Sequence, residues 1–507
     1  MAPTTRAQPY NGIFKGMDDS SVGHLVIDGR DSLATILGQA HWKAPATELR
    51  DVHGALNNGL RASLLDCVVV GQTQHRFDAR AEYETRLLPN YVVLGEEHIR
   101  SGEAVIRAVS YHLDNIDVLV RAPKTFKSLH ATPEEARSIL AAAYARTKSI
   151  ADENGWPLEP FDPEIGEHPT LLYFSGVWEI IACEAQLGRI SLVNRSSEAA
   201  PSAAGIRVDN QVAVVITFAE PKTLDQTIQA LRTLHSLFEL SLGKRQRYQW
   251  IELELTHVKN ATRGLHQTAQ LYWSMCNTRV SEPCAKANLG DVLVSPDFRP
   301  AEFAKVVAAW MDTAPVMRDP RERFATAFFG QFGVNRIVGA ANLFDLLPES
   351  HAPARKALEP PVAAAVAQCR AIMQSLPDSF ARQSVLSALG RVGSASLRDK
   401  IYHRADRIIA LAGEKLPELH LPCAQAVICR NHYVHGSPAA FDYQAHITEF
   451  AFITETLEFV FACSDLIELG WDFIDWMAEG TTMTHPFGAY LIAYRDHLER
   501  LKRVIGA

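Results

Sequence analysis

Residues 429–436 read Cys-Arg-Asn-His-Tyr-Val-His-Gly, and a long helical pattern follows them at 444–478. On a helix, Asn431 and His435 lie four residues apart and share a face. Arg430 lies roughly 140° around the helix from His435, near enough for its long side chain to reach the same place. The spacing therefore predicts that these three side chains converge at one site just ahead of the long helix.

This combination of residues is rarer than its parts. With 36 arginines and 19 histidines in the chain, an arginine followed five positions later by a histidine is expected about once by chance. Requiring asparagine directly after the arginine lowers that expectation to about 0.04. The looser spacing recurs at Arg398 and His403, where no glycine follows and the helical pattern simply continues. We therefore interpret Arg398 and His403 as a helix surface.

The three residue types suit chemistry on RNA. Histidine exchanges a proton near neutral pH, so it can act as general base on a ribose 2′-hydroxyl or as general acid at a leaving oxygen. Arginine stays charged and binds phosphate through a planar fork, which stabilises charge in a transition state. Asparagine can hold the imidazole tautomer or bond to the phosphate. These roles need neither a metal nor a cofactor, and we predict none.

Two other interpretations of the same residues stay open. Arg430 could pair with a carboxylate at a helix end while His435 covers the core, a purely structural arrangement. Alternatively, His432 and His435 could bind a metal together with His403 or His446. No HExxH or histidine-plus-carboxylate spacing accompanies them, however, so the metal interpretation has little support in the sequence.

Three further residues are candidate accessory groups. His432 stands beside the predicted site. Lys400 and Arg404 share one face of a predicted helix with Arg407, and this face could follow an RNA phosphate backbone. An ordinary solvated face is an equally good interpretation of the same spacing.

Composition limits the class of protein. The 507 residues, 47% hydrophobic and 21% charged, are typical of a folded chain with several domains. The net charge of −8 excludes a globally basic surface, so any nucleic acid must be held by a local site. No apolar run is long enough to cross a membrane, Met1–Arg6 lacks a signal-peptide core, and the cysteines form no CxxC pair. We therefore predict a cytoplasmic protein that contacts no membrane. The sequence also contains no Gly-rich phosphate-binding loop, which argues against ATP-driven chemistry.

Hydrophobic patterning divides the chain in two. Short β-branched runs such as Tyr91–Leu94 and Val212–Phe218 make residues 1–285 strand-rich, with one clear helix at 223–240. Residues 290–507 read as helical throughout. The predicted fold class is α+β, a strand-rich mixed N-terminal domain followed by an all-α domain. Acidic residues of the long helix repeat at helical spacing, which favours a solvated outer face. They are Glu455, Glu458, Asp465, Glu468, Asp472, Asp475 and Glu479.

The segment Arg430–Gly436 resembles the signature of HEPN domains, an Arg-x4–6-His motif, with a polar residue directly after the Arg, near the start of their last long helix. The helices before and after the segment are similar in order to those of this family. Near the other end of the chain, residues 12–29 and 171–176 are similar to the N-terminal domain of ApeA-type anti-phage proteins. The two resemblances together suggest a sensor-like domain followed by a HEPN effector.

The resemblance implies a HEPN helical bundle at 290–507 that cuts RNA without metal, with tRNA as one candidate substrate. It implies Arg430, Asn431 and His435 as catalytic residues, and a homodimer formed through the region Arg430–Leu469. It further implies that residues 1–285 sense a phage-derived trigger and that RNA cleavage then causes abortive infection. The alternatives are a non-catalytic HEPN-like module that binds RNA or nucleotide or serves as a scaffold, and a toxin restrained by a separate antitoxin.

Overall fold

The structure is a computed structural model of the chain. It describes residues 8–15, 20–38, 49–77, 80–120, 125–198, 208–260, 264–274, 285–288, 290, 292–354, 357–479 and 483–506. The opening segment Met1–Arg6 and the cysteines Cys276 and Cys284 lie outside these residues. Among the helices within these residues, none has the length and apolar character needed to cross a membrane.

Antiparallel strands build the first half of the chain. Their bounds are β1 Gln8–Lys15, β2 Ser20–Ile27, β3 Leu33–Gly38, β4 Arg50–Leu56, β5 Arg61–Phe77, β6 Arg80–Leu88, β7 Tyr91–Gly95, β8 Ile106–Leu113, β9 Phe126–His130, β10 Thr170–Phe174, β11 Glu179–Ala185, β12 Gly188–Glu198, β13 Val208–Lys222, β14 Tyr248–Asn260 and β15 Leu265–Trp273. Within the described residues, thirteen strands pair in the order β11-β12-β13-β8-β14-β15-β7-β5-β4-β1-β2-β3-β6, while β9 and β10 form a separate pair.

Strands β1 to β6 close into a ring at one end of this sheet. The closure depends on the long strand β5, which pairs with β4 near its start and with β6 along its second half. Phe14 fills the interior of the ring and is fully buried. A Cβ atom added to Gly23 or Gly54 would lie 2.6 or 2.5 Å from the Phe14 ring, so glycine at these positions makes room for it.

Helices build the second half, and the first two described helices lie between strands of the first half. Their bounds are α1 Pro133–Asn154, α2 Leu224–Leu242, α3 Pro300–Asp312, α4 Ala314–Phe328, α5 Val334–Asn342, α6 Pro360–Ser375, α7 Phe380–Gly390, α8 Leu397–Ala412, α9 His420–His435, α10 Ile447–Glu468, α11 Phe473–Ala478 and α12 Pro486–Ile505. The predicted α+β class, strand-rich first and helical afterwards, is confirmed.

One apolar core joins the two halves. Helix α2, predicted at 223–240, begins at a capping box formed by Thr223 and Gln226 and ends at Gly243, whose φ of 63° is left-handed. Its apolar face packs on the sheet, and the Trp310 indole of α3 donates to its Thr233 carbonyl at 2.8 Å. The predicted boundary between residues 285 and 290 stays a prediction, since 275–284, 289 and 291 lie outside the described residues.

Helix α10 is the central helix of the second half. It is buried on most of its surface, as expected for a helix surrounded by others, and Phe452, Phe459 and Phe461 are almost fully buried. The single helix predicted at 444–478 is wrong, because α10 ends at Glu468 and α11 begins at Phe473. Gly470 breaks the helix with a φ of 96°, and the Asp472 side chain caps α11.

The predicted solvated face of acidic residues is wrong for its middle part. Glu458 and Asp465 are each 1% exposed, and Glu468 is half-buried. Glu458 accepts from both Arg336 Nε and Nη2, at 2.7 and 2.8 Å. Glu455, Asp472, Asp475 and Glu479 are exposed, so the face is solvated at those positions only.

Asp465 holds the most buried of these ion pairs. Its carboxylate accepts from Arg321 Nε at 2.8 Å and Nη2 at 3.2 Å, and Arg404 Nη2 lies 4.0 Å away. The Arg321 guanidinium also lies over the Trp310 ring, 3.8 Å from its centroid. These bonds tie α4 and α8 to α10 inside the core.

We expect Asp465→Asn to destabilise the protein by about 3–5 kcal/mol, because it leaves buried arginine charges without their counter-ion. Urea unfolding followed by tryptophan fluorescence measures this loss. Glu455→Gln, an exposed change on the same helix, is the matched control and should shift the midpoint little. Equal midpoints for the two variants would contradict the assignment of Asp465 to a stabilising ion pair.

Candidate active site

The predicted site lies at the C-terminal end of α9. Gly436, with a φ of 69°, ends the helix in the left-handed conformation that glycine adopts without strain. Its N–H donates to the His432 carbonyl at 3.0 Å, and the Ser437 N–H reaches the Asn431 carbonyl at 3.4 Å. The motif thus occupies the last two turns of α9 and precedes α10, whereas the family resemblance suggests the start of the long helix.

The structure brings Arg430, Asn431 and His435 together. Arg430 Nη1 lies 2.8 Å from His435 Nε2 and donates to Asn431 Oδ1 at 3.1 Å. A guanidinium has only donors, so His435 Nε2 is the acceptor in this contact. His435 is exposed, whereas Arg430 and Asn431 are half-buried. The imidazole therefore contacts the guanidinium through Nε2 while the rest of its ring is open to solvent.

Asn342, which sequence reasoning missed, completes the surroundings of Arg430. It is the last residue of α5, and its Oδ1 accepts from Arg430 Nε at 3.1 Å and from Nη2 at 2.9 Å. The two residues are 88 positions apart, and no spacing in the sequence links them. Asn342 thus holds one edge of the guanidinium while Nη1 points at His435.

The charge of Arg430 has no counter-anion in the described part of the chain. Its acceptors are two carboxamide oxygens and an imidazole nitrogen, all of them neutral. No salt bridge within 4.0 Å joins it to a carboxylate among the described residues, so the carboxylate pairing considered as an alternative is not observed there. A half-buried cation surrounded by neutral acceptors is suited to an anion such as phosphate.

His432 has a structural environment apart from the Arg430–His435 contact. Its Nδ1 lies 2.7 Å from the Ser437 carbonyl oxygen, and its ring packs against Tyr433 and Tyr443. Tyr443 in turn contacts Phe450 of α10. His432 therefore fixes the chain that leaves α9, and its proposed accessory role in catalysis finds no contact with the other site residues.

The proposed RNA contact by Arg404 is wrong. Arg404 is fully buried and binds Glu468, and burial lowers the pKa of its guanidinium to about 10. Lys400 donates to the side chain and the carbonyl of Asp345, at 3.3 and 3.4 Å. Helical spacing correctly places Lys400 and Arg404 on one face of α8. That face does not meet solvent, because it pairs with the carboxylates of Asp345 and Glu468 from other elements.

The second motif match also lies on α8. His403 contacts Arg407, one turn further along the continuous helix, at 3.4 Å. Arg398 and His403 therefore lie within one regular helix, and the interpretation of this match as a chance one stays a prediction. Among the described residues, no three histidine, cysteine or acidic side chains are grouped so that they could hold a metal ion. Beside the site, burial raises the pKa of the Cys429 thiol to about 12, which makes it a poor nucleophile.

Comparison with known families gives two matches. Residues 340–473 match Apea-like HEPN, and residues 187–310 match ApeA N-terminal domain 1. The first match contains Asn342 together with the motif on α9, and the second runs from β12 into α3. The segments at 12–29 and 171–176, which suggested the N-terminal resemblance, lie outside both matched ranges. No curated protein and no solved structure gives a significant match.

Proposed function

We propose that this chain, which the two family matches support as an ApeA-type HEPN protein, is a metal-independent endoribonuclease acting through Arg430, Asn431 and His435. The observation that carries the proposal is the Arg430 cation, which has only neutral partners in the described residues and touches an exposed, proton-accepting imidazole. Phosphate binding and proton transfer, the two functions that RNA cleavage needs, thus lie side by side.

The reaction uses these groups in a defined order. A phosphate oxygen of the RNA accepts from Arg430 Nη1, which releases His435 Nε2 from its bond to the guanidinium. His435 then takes the proton of the adjacent ribose 2′-hydroxyl as its oxygen attacks phosphorus. The bond to the 5′-oxygen breaks, that oxygen takes a proton from an imidazolium or water, and a 2′,3′-cyclic phosphate remains. Arg430 stabilises the charge that builds on the phosphate, and Asn431 orients Arg430.

The active species in this proposal is a homodimer, because two facing sites supply a second imidazole as general acid and a second cation. Most of α10 is already buried within one chain, so the dimer that we propose through Arg430–Leu469 uses the exposed positions of that region, among them the end of α9. There Val434 is 43% exposed and His435 and Gly436 are exposed as well. Light scattering on the preparation used for cleavage assays gives its mass.

The biological role that we propose is abortive infection. A phage-derived trigger acts on the strand-rich half, and cleavage of RNA, with tRNA as one candidate, stops growth of the host. Sequencing RNA ends from cells with the activated protein identifies the cut molecule. Toxicity of the wild type but not of a motif variant separates this effector from a non-catalytic binding or scaffold module. Loss of that toxicity on co-expression of a neighbouring gene favours a toxin–antitoxin pair.

We expect purified protein to cleave RNA in the presence of EDTA, because neither proposed step uses a metal. The products should carry 2′,3′-cyclic phosphates, and a 2′-deoxy substitution at the cleavage position should block the cut, since it removes the nucleophile. Gel analysis of end-labelled RNA with and without EDTA measures this. Complete loss of cleavage in EDTA with recovery on adding manganese or zinc would refute metal independence.

A further inference from the structure

We propose that Asn342 is a positioning residue for Arg430, an inference that rests on the proposed function of the site. Its single carboxamide oxygen accepts from two nitrogens of the guanidinium, Nε at 3.1 Å and Nη2 at 2.9 Å. A guanidinium held at both Nε and Nη2 can rotate little about the terminal bonds of the arginine side chain. Nη1, the nitrogen that faces His435, is thereby aimed at the place where phosphate must sit.

Asn342 can hold Arg430 in this way because α5 itself is firmly placed. Arg336, on the same helix, forms a bidentate ion pair with Glu458 of α10. Ala340 and Ala341 are fully buried, and α5 packs against α9 as well as α10. The carboxamide at the end of α5 is therefore anchored to the central helix α10.

The neutral charge of Asn342 matters as much as its position. An aspartate at 342 would keep the accepting oxygen at nearly the same place and bind Arg430 more strongly. It would also neutralise the cation and repel a phosphate. A carboxamide orients the guanidinium and leaves its full charge available to the substrate. A merely structural contact would be kept by either side chain, whereas a positioning role requires the neutral one.

Two substitutions test this role through the rate of RNA cleavage. Asn342→Ala removes both hydrogen bonds from the Arg430 guanidinium to this side chain, and we expect kcat to fall about 10- to 100-fold. Asn342→Asp should lower kcat about 100-fold or more while the melting temperature stays at or above that of the wild type. Asn335→Ala, an exposed change on the same helix, is the matched control. Full activity of Asn342→Asp would overturn the proposal, because a structural contact alone predicts that result.

A binding experiment separates this inference from the proposed nuclease activity. The probe is a fluorescent 2′-O-methyl RNA oligonucleotide, which cannot be cleaved. Asn342→Ala should weaken its binding in the wild-type background and have little further effect in the Arg430→Ala background, because Asn342 acts through Arg430. Equal losses in both backgrounds overturn the positioning role. Coupled binding without any cleavage, even by wild type purified from phage-infected cells, refutes the nuclease and keeps the positioning role, whereas a wild type that neither binds nor cleaves in either preparation overturns both.

Discussion

Replacing His435 with alanine should lower the rate of RNA cleavage by about 10²- to 10⁴-fold, the range for loss of a general acid–base group. The fold should survive, because His435 is exposed and the contact that holds its ring is the one from Arg430. Substrate binding should change much less than kcat, since Arg430 remains to bind phosphate. Multiple-turnover cleavage of an end-labelled RNA, with KM and kcat determined separately, measures both effects.

His403→Ala is the matched control for this prediction. His403 ends the second arginine–histidine match, and it contacts Arg407 on the same helical face of α8. The substitution should therefore leave cleavage nearly unchanged, once both variants are shown to unfold at the wild-type temperature. Loss of cleavage in His403→Ala with activity retained in His435→Ala would show that the other of the two matches is the site.

The convergence of Arg430 with His435 was predictable from sequence because it depends on one helix. Helical periodicity alone sets the angle between positions five apart, and Gly436 ends the helix where its left-handed conformation requires glycine. The combination of arginine, asparagine and histidine at this spacing is rare by chance, and it therefore favours this segment over the match at Arg398. Local geometry and residue frequency were sufficient for this part of the site.

Asn342 could not be predicted in the same way. It reaches Arg430 across 88 positions, through the packing of α5 on α9, and tertiary packing leaves no period in the sequence. Asparagine at the end of a helix is also common for local reasons, so its residue type gives no signal. The contact depends on the three-dimensional arrangement of α5 and α9, which the sequence pattern does not contain.

The acidic residues of α10 show a different limit of prediction from sequence. Their spacing correctly indicates one helical face, but periodicity does not say whether that face meets water or buried arginines. The partners Arg321 and Arg404 come from two other helices, and the sequence does not connect them with Asp465. The same ambiguity made Arg404 a candidate for RNA contact, although it lies fully inside the core.

Arg430→Lys should lower kcat/KM for RNA cleavage by about 10²- to 10³-fold, even though the charge is kept. The guanidinium bonds to Asn342 through one edge and to His435 through Nη1, and the single ammonium of lysine cannot make both sets of contacts. Without them the charge is neither aimed at the phosphate nor held next to the imidazole. Competition by inorganic phosphate and the salt dependence of oligonucleotide binding report on the charge itself.

Arg398→Lys, in the second motif match, is the matched control and should retain wild-type activity. The decisive comparison is between binding and turnover of the Arg430→Lys variant. We expect its affinity for the 2′-O-methyl oligonucleotide to fall much less than its kcat, because lysine still attracts phosphate but does not fit the transition state. A variant that cleaves RNA at the wild-type rate would show that Arg430 contributes only charge, and the geometry built by Asn342 and Asn431 would then have no role in catalysis.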